Sequence, residues 1–247
     1  MINCKNLCTL KAFDVPEEKL EAAREVKADG VEVEISEKYG DYTFAVINYS
    51  ADEVSFNGVV IELKRVLGGS LYSEDGETLE EVVVKELKEN GKTFSVAESF
   101  TGGLISARTV NVGGASSVFY EGLVTYGSSA KIRRLHVKVQ TIEKYGVVSE
   151  EVVREMAQGL LANRITDYAI STTGCAGPDS DEYDTPVGLC YVAIACSEGA
   201  LVYELMIDGD RKYIREFATN CALFTFIGVI RGETAVGQTI KRNIHTR

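Results

Sequence analysis

Three prolines in 247 residues, beside a 45% hydrophobic content, exclude a Pro-rich disordered chain, a collagen and a coiled coil, and leave a globular protein with material for a sizeable core. No run of 18 apolar residues occurs, so no membrane-spanning helix and no membrane partner are expected. Met1 to Asn6 lack the basic, apolar and small-residue succession of a signal peptide, and a cytoplasmic location follows as the expectation. Histidine is scarce too. His136 follows a short basic segment and His245 lies near the C-terminus, so a Ser-His-Asp arrangement is not expected and both read as exposed side chains. Six cysteines, at positions 4, 8, 175, 190, 196 and 221, are too diluted for a disulfide framework and read as reduced, mostly buried thiols.

What the chain does have in excess is acid. Through residue 90 there are 10 Lys plus Arg and 20 Asp plus Glu, against 16 and 17 in the remaining 157 residues. Nucleic-acid binding draws most of its free energy from cations that displace condensed counterions, so so acidic a segment argues against DNA or RNA as a partner.

Periodicity divides the chain near residues 68–77. Pro16 to Ala28 reads as a charged helix, Val31 to Ile35 and Tyr42 to Tyr49 alternate like strands, and Asp52 to Leu67 returns to a helical period. That is a small α+β domain over residues 1–70. After Gly68, Gly69 and Ser70, Thr78 with Glu81 forms a capping box, and Leu79, Val82, Val83 and Leu87 share one helix face. Strands and helices then alternate: strand 92–97, helix 101–110, strand 119–126, helices 129–135 and 149–163, strand 167–173, strands 187–196 and 200–207, and helix 211–230. An α/β domain over residues 71–235 is predicted, with residues 236–247, which include Lys241, Arg242 and Arg247, as a frayed basic tail.

Several strand ends carry small polar residues. Ala97-Glu98-Ser99-Phe100-Thr101-Gly102-Gly103 closes a strand and opens a helix, the edge where open α/β sheets bind ligands. Ser99 there reads either as a nucleophile beside backbone N–H donors at Thr101, Gly102 and Gly103, or as a helix cap with a Gly-Gly packing device. A nucleophilic serine needs a base, and with histidine set aside Tyr126 and Lys131 are the candidates, facing the same strand edge. A desolvated lysine gives up its proton more readily, and a neighbouring ammonium lowers the pKa of a tyrosine, so either could receive the Ser99 proton. The bland alternative is a surface lysine and an interface tyrosine. Thr173 and Gly174 end another strand, where a hydroxyl and free N–H groups suit an amide or a sugar, as they would a plain loop. The carboxylates at 179, 181, 182 and 184 lack the glycine and terminal glutamate of a calcium loop. Arg211 and Arg215 stand one turn apart at a helix start, where a phosphate would offset their opposition to the helix dipole, or where Asp208 and Asp210 would pair with them.

In this order the segments Ala97–Gly103, Gly114–Phe119, Val124–Lys131, Gly146–Val152, Thr173–Pro178, Pro186–Gly188 and Gly209–Arg211 resemble the C-terminal domain of the competence/damage-inducible CinA family, over about residues 70 to 231. The resemblance implies a three-layer α/β/α amidase domain with a mixed sheet, acting on nicotinamide mononucleotide through Ser99, Tyr126 and Lys131. It further implies substrate contacts from Ser116, Thr173 and Arg211, a small-molecule pyridine nucleotide as partner, and no metal or cofactor. A homo-oligomer is expected. Residues 1–70 resemble the small KH-like connecting domain of longer members but hold no G-x-x-G loop, which leaves nucleic-acid binding by that fold unsupported. The molybdopterin-binding-like domain of those members is not in the sequence, so the pyrophosphatase activity associated with it is expected to be absent. Departures from the family pattern fall at Phe100, Ala115, Gly127, Ser128 and Ser129.

Overall fold

A computed structural model of the protein describes residues 7–162 and 164–245, and the chain divides into two units, Met1–Val82 and Val83–Arg247. In the first, β1 (Leu7–Phe13), α1 (Glu17–Arg24), β2 (Val31–Lys38), β3 (Asp41–Asn48), α2 (Glu53–Leu67) and β4 (Leu71–Ser73) follow in turn. The sheet order is β2-β3-β1-β4 with every neighbouring pair antiparallel. Tyr42, Phe44 and Val46 alternate inward along β3 to meet Leu20 of α1 and Leu63 and Leu67 of α2, while Glu32 and Glu34 of β2 stay exposed. Asp52 caps α2 by accepting the Ser55 N–H at 2.9 Å.

This β-α-β-β-α-β order is the split βαβ arrangement. The α+β character is as expected, and the sheet has four strands. Leu7–Phe13, not read as a strand from the sequence, lies between β3 and β4. Its inward residues Leu10 and Ala12 are fully buried, yet Lys11 interrupts so short a run that periodicity alone does not announce a strand.

The second unit contains most of α3 (Leu79–Glu89), then β5 (Phe94–Glu98), α4 (Leu104–Val110), β6 (Phe119–Val124), α5 (Ser128–Leu135), α6 (Val139–Tyr145), α7 (Glu150–Leu161), β7 (Tyr168–Gly174), β8 (Leu189–Cys196), β9 (Gly199–Ile207), α8 (Arg211–Ile230) and β10 (Thr239–Ile244). The capping box is formed, since the Thr78 N–H and hydroxyl both donate to the Glu81 carboxylate. The sheet order is β10-β9-β8-β7-β5-β6. β6, β5 and β7 run parallel, β7, β8 and β9 antiparallel, and β10 parallel to β9. One face packs Ala97, Ala169, Ala193 and Val202 against Val152, Val153 and Met156 of α7 and Leu135 of α5. On α8, Phe226 packs its ring against Phe94 and Tyr168. Both faces are thus covered by helices, the three-layer α/β/α arrangement with a mixed sheet.

Three details differ from the sequence reading. α4 begins three residues late, because Gly102 and Gly103 take φ of +63° and +95° and form a turn instead of helix. α6 is a helix of two turns with Ile142 as its buried residue, too short to show a period. Finally, residues 239–244 are no frayed tail: α8 returns the chain so that they pair with Val202–Ile207, and Arg154 of α7 donates to the Thr239 hydroxyl at 2.9 Å. Cys8, Cys175, Cys190, Cys196 and Cys221 are free thiols, whereas Cys4 lies outside the described residues. Among those residues no helix is long and apolar enough to cross a membrane.

Candidate active site

The C-terminal ends of three parallel strands meet at one edge: β5 at Glu98, β6 at Val124 and β7 at Gly174. The Ser99 N–H donates to the Thr172 carbonyl at 3.1 Å and the Thr125 N–H to the Glu98 carbonyl at 2.8 Å, which ties the three chain exits together. α5 then turns Lys131 back beneath the edge. Its ammonium nitrogen lies 2.9 Å from Ser99 Oγ, 2.9 Å from the Thr125 carbonyl and 3.1 Å from the Tyr126 carbonyl. Ser99 is 7% exposed and Lys131 1%, and among the described residues no carboxylate pairs with that lysine.

Burial without a counter-charge pulls the Lys131 pKa from 10.5 down to about 8. The geometry also sets where the lone pair points. A carbonyl can only accept, so the Thr125 and Tyr126 carbonyls take the two N–H groups of a neutral amine and leave its lone pair aimed at the Ser99 hydroxyl. A primary amine held in this way can act as a general base towards the serine.

The other predicted residues separate into groups. Tyr126 is 59% exposed, and its phenol oxygen accepts from Arg211 Nη2 at 3.0 Å instead of meeting Ser99 or Lys131. Arg211 also donates through Nη1 to the Gly177 carbonyl at 2.6 Å, which spans the exits of β6 and β7. The Thr173 hydroxyl donates to the Val147 carbonyl at 2.7 Å. Gly174 has a structural reason for its missing side chain, since a Cβ there would stand 2.4 Å from Cys190 Cβ. The hydroxyl of Thr101 is fully buried and shares a 2.8 Å hydrogen bond with Thr172 Oγ1. Arg215 donates to the Phe100 and Thr101 carbonyls, both at 2.8 Å. Ser116 is not brought to this edge. It precedes β6, whose start pairs with Phe94 at the beginning of β5, so the length of a five-residue strand, about 16 Å, separates it from Ser99.

The N–H donors at the helix start also differ from expectation. Gly102 N–H donates to the Ser99 carbonyl at 3.0 Å and Gly103 N–H to the Glu98 carboxylate at 2.9 Å. Glu98, wholly buried, further accepts from the Ile105 and Ser106 N–H groups and the Ser106 hydroxyl, so its carboxylate fills the anion position of α4. No sequence argument gave Glu98 a role. Its place immediately before the candidate nucleophile, as the one charged residue closing the run Phe94-Ser95-Val96-Ala97, was the available signal. The N–H groups of Phe100 and Thr101 remain, and no group among the described residues accepts from either.

Elsewhere, Asp181 of the acidic loop accepts from the Tyr183 and Thr185 N–H groups, each at 3.0 Å, and no three His, Cys, Asp or Glu side chains converge among the described residues. A cleft of about 1370 Å³ lies at the opposite end of the sheet, with Lys92, Thr166, Tyr168, Cys196 and Arg231 in its walls. None of the predicted site residues lines it.

The profile of the CinA C-terminal domain matches residues 76–230. The chain belongs to the CinA family. Competence-damage inducible proteins of Alkaliphilus oremlandii and Clostridium botulinum are 48% identical over 162 residues and 40% identical over 190 residues, which covers 66% and 75% of this chain but 39% and 46% of theirs. The chain thus spans less than half the length of these CinA relatives. Among solved structures, a CinA-superfamily protein of Klebsiella pneumoniae is 28% identical with a TM-score of 0.60, over 62% of this chain and 96% of that one. The competence/damage inducible protein CihA of Agrobacterium tumefaciens is 33% identical with a TM-score of 0.59, over 62% and 93%.

Proposed function

We propose that the second unit is a serine amidohydrolase that converts nicotinamide mononucleotide to nicotinic acid mononucleotide and ammonia. The observation that carries this reading is the contact between Lys131 Nζ and Ser99 Oγ, with both remaining lysine hydrogens placed on carbonyls. In the forward half-reaction Ser99 Oγ attacks the carboxamide carbon while the Lys131 amine takes its proton. The tetrahedral intermediate collapses as Lys131 returns that proton to the departing nitrogen, releasing ammonia and leaving an ester on Ser99. Water deprotonated by Lys131 then cleaves the ester, and the proton returns to Ser99. Nucleophile and base both come from the chain, so the scheme calls on no metal or cofactor. Developing negative charge on the carbonyl oxygen would fall to the unpartnered N–H groups of Phe100 and Thr101.

Arg211 suits the substrate phosphate. Two of its five N–H groups are engaged, on Gly177 and Tyr126, and its exposed position leaves the rest open to an anion. Tyr126 in this scheme holds Arg211, and Lys131 is the immediate base. The family departures at Phe100, Gly127, Ser128 and Ser129 leave the dyad intact, because Lys131 is held by backbone carbonyls and Ser99 and by none of those side chains.

The deciding experiment is ammonia release from nicotinamide mononucleotide by the wild-type chain beside Ser99→Ala, with a chelator present. Release that disappears in the variant is the expected result. A folded wild type that binds the nucleotide, seen as thermal stabilisation, without releasing ammonia would instead make the chain a catalytically degenerate nucleotide-binding protein.

A further inference from the structure

We infer that Arg215 is a positioning residue that sets the direction of the oxyanion donors, and is not a ligand of the substrate phosphate. The inference rests on the amidase reading of Ser99 and deepens it. In a trans peptide the C=O and the N–H point in opposite directions, so whatever holds a carbonyl also aims the following N–H. The Phe100 carbonyl is held by Arg215 Nε at 2.8 Å, which aims the Thr101 N–H the other way. The Thr101 carbonyl is held by Arg215 Nη2 at 2.8 Å, which aims the Gly102 N–H. That N–H donates to the Ser99 carbonyl at 3.0 Å and so aims the N–H of Phe100. One guanidinium therefore fixes three successive peptide planes, and the two N–H groups it leaves without partners are those next to the nucleophile.

Both residues are buried, Phe100 at 3% exposure and Thr101 at none. Native proteins leave very few buried N–H groups unpaired. Two in succession beside a nucleophilic serine have a chemical use, as donors to an oxygen that becomes negative during attack. The planar fork of arginine holds two successive carbonyls through two nitrogens fixed in one plane, a geometry that the single ammonium of a lysine does not reproduce. Gly102 shows how closely the fork is fitted, since a Cβ there would stand 3.1 Å from Arg215 Nη2. Half-buried and tied to the turn through Nε and Nη2, Arg215 is placed to hold the backbone, and the exposed Arg211 is left for the phosphate.

The test compares wild type, Arg215→Lys and Arg215→Gln on nicotinamide mononucleotide and on the phosphate-free nicotinamide riboside, together with the rate at which a fluorophosphonate labels Ser99. Loss of alignment of one donor should lower kcat by about 100-fold in Arg215→Lys, with KM changed less than about threefold. The same factor should appear with the phosphate-free substrate and in the labelling rate. A kcat left at the wild-type value, with KM raised for the phosphorylated substrate alone, would overturn the inference and make Arg215 a phosphate ligand while the amidase reading stands. If Arg215→Lys does not fold, Arg215→Gln decides by the same criteria, because it removes the fork and the charge while leaving the backbone of the turn unchanged. Labelling decides in the same way if wild type reacts with the fluorophosphonate but hydrolyses neither amide. A wild type that neither hydrolyses nor is labelled would end the amidase reading, and this inference with it.

Discussion

The first unit carries 18 acidic and 8 basic residues and the second 19 and 18, yet it is the nearly neutral unit that buries ionisable side chains. Among the described residues of the first, Asn48 and Ser73 are the buried polar side chains; in the second, Glu98 and Lys131 are buried with Ser99, Thr101, Thr125, Thr172 and Thr173 around them. The acidic unit keeps its charge on the surface, where water screens it and each carboxylate costs little. The other takes two ionisable groups out of water at one strand edge, where desolvation is expensive unless hydrogen bonds or a change of protonation offset it. Glu98 is offset by four donors, and Lys131 by three hydrogen-bond partners and a pKa lowered to about 8. The contrast locates chemistry where the usual rule of burial is broken.

Removing the buried amine gives the largest expected effect. Lys131→Met should lower kcat by about 10²- to 10⁴-fold, the range for loss of a general base. In wild type kcat/KM should rise with pH through an apparent pKa near 8, set by the depressed value of Lys131. A pH profile flat between 7 and 9 would contradict Lys131 as the base. Stability carries the same signature. Below pH 8 Lys131 is protonated in both folded and unfolded chains, and above 10.5 in neither. Between these limits the unfolded chain binds the extra proton, so folding gains as pH rises. Wild type should therefore gain about 3 kcal/mol on Lys131→Met from pH 7 to 10.5, read from denaturant midpoints at each pH.

The other buried charge should break differently. Glu98→Ala leaves the buried N–H of Ile105 and the half-buried N–H groups of Gly103 and Ser106 without their acceptor, and a loss of about 3 kcal/mol is expected, with turnover lost alongside. Chemical denaturation followed by a probe in the second unit measures it. A variant within about 0.5 kcal/mol of wild type would show that water replaces the carboxylate and that Glu98 does not hold the turn.

Much of this was legible in the sequence, and the reasons differ by element. α8 follows from its long period, α7 from the Ser149 cap and its apolar stripe, and the convergence of Ser99 with Lys131 from the rule that ligands gather at the C-terminal edge of parallel strands. What stayed hidden depends on long-range pairing or on backbone direction. β10 is a strand because β9 offers it an edge, which no local pattern of Thr239–Ile244 reveals. Tyr126 lies near Lys131 in sequence, but its side chain leaves the strand towards Arg211. Ser116 shows the limit of carrying a motif over residue by residue, since it lies at the far end of the sheet. Arg215 bears the charge expected of an anion ligand and spends it on two carbonyls.

The smallest expected effect belongs to the acidic unit. Glu32 and Glu34 stand exposed on β2, with Ile47 and Ala45 of β3 as their cross-strand partners, so no opposite charge faces them along the sheet. Replacing both by Gln removes two charges from a surface that repels itself and strands no buried group. The melting temperature should rise by about 1–2 °C at low ionic strength, and the gain should vanish in high salt, where surface repulsion is screened. Ammonia release should not change. The salt dependence separates relief of repulsion from better strand propensity, which would persist in salt. A fall in kcat would break the comparison at its base, because the carboxylates of the acidic unit would then take part in the chemistry of the other.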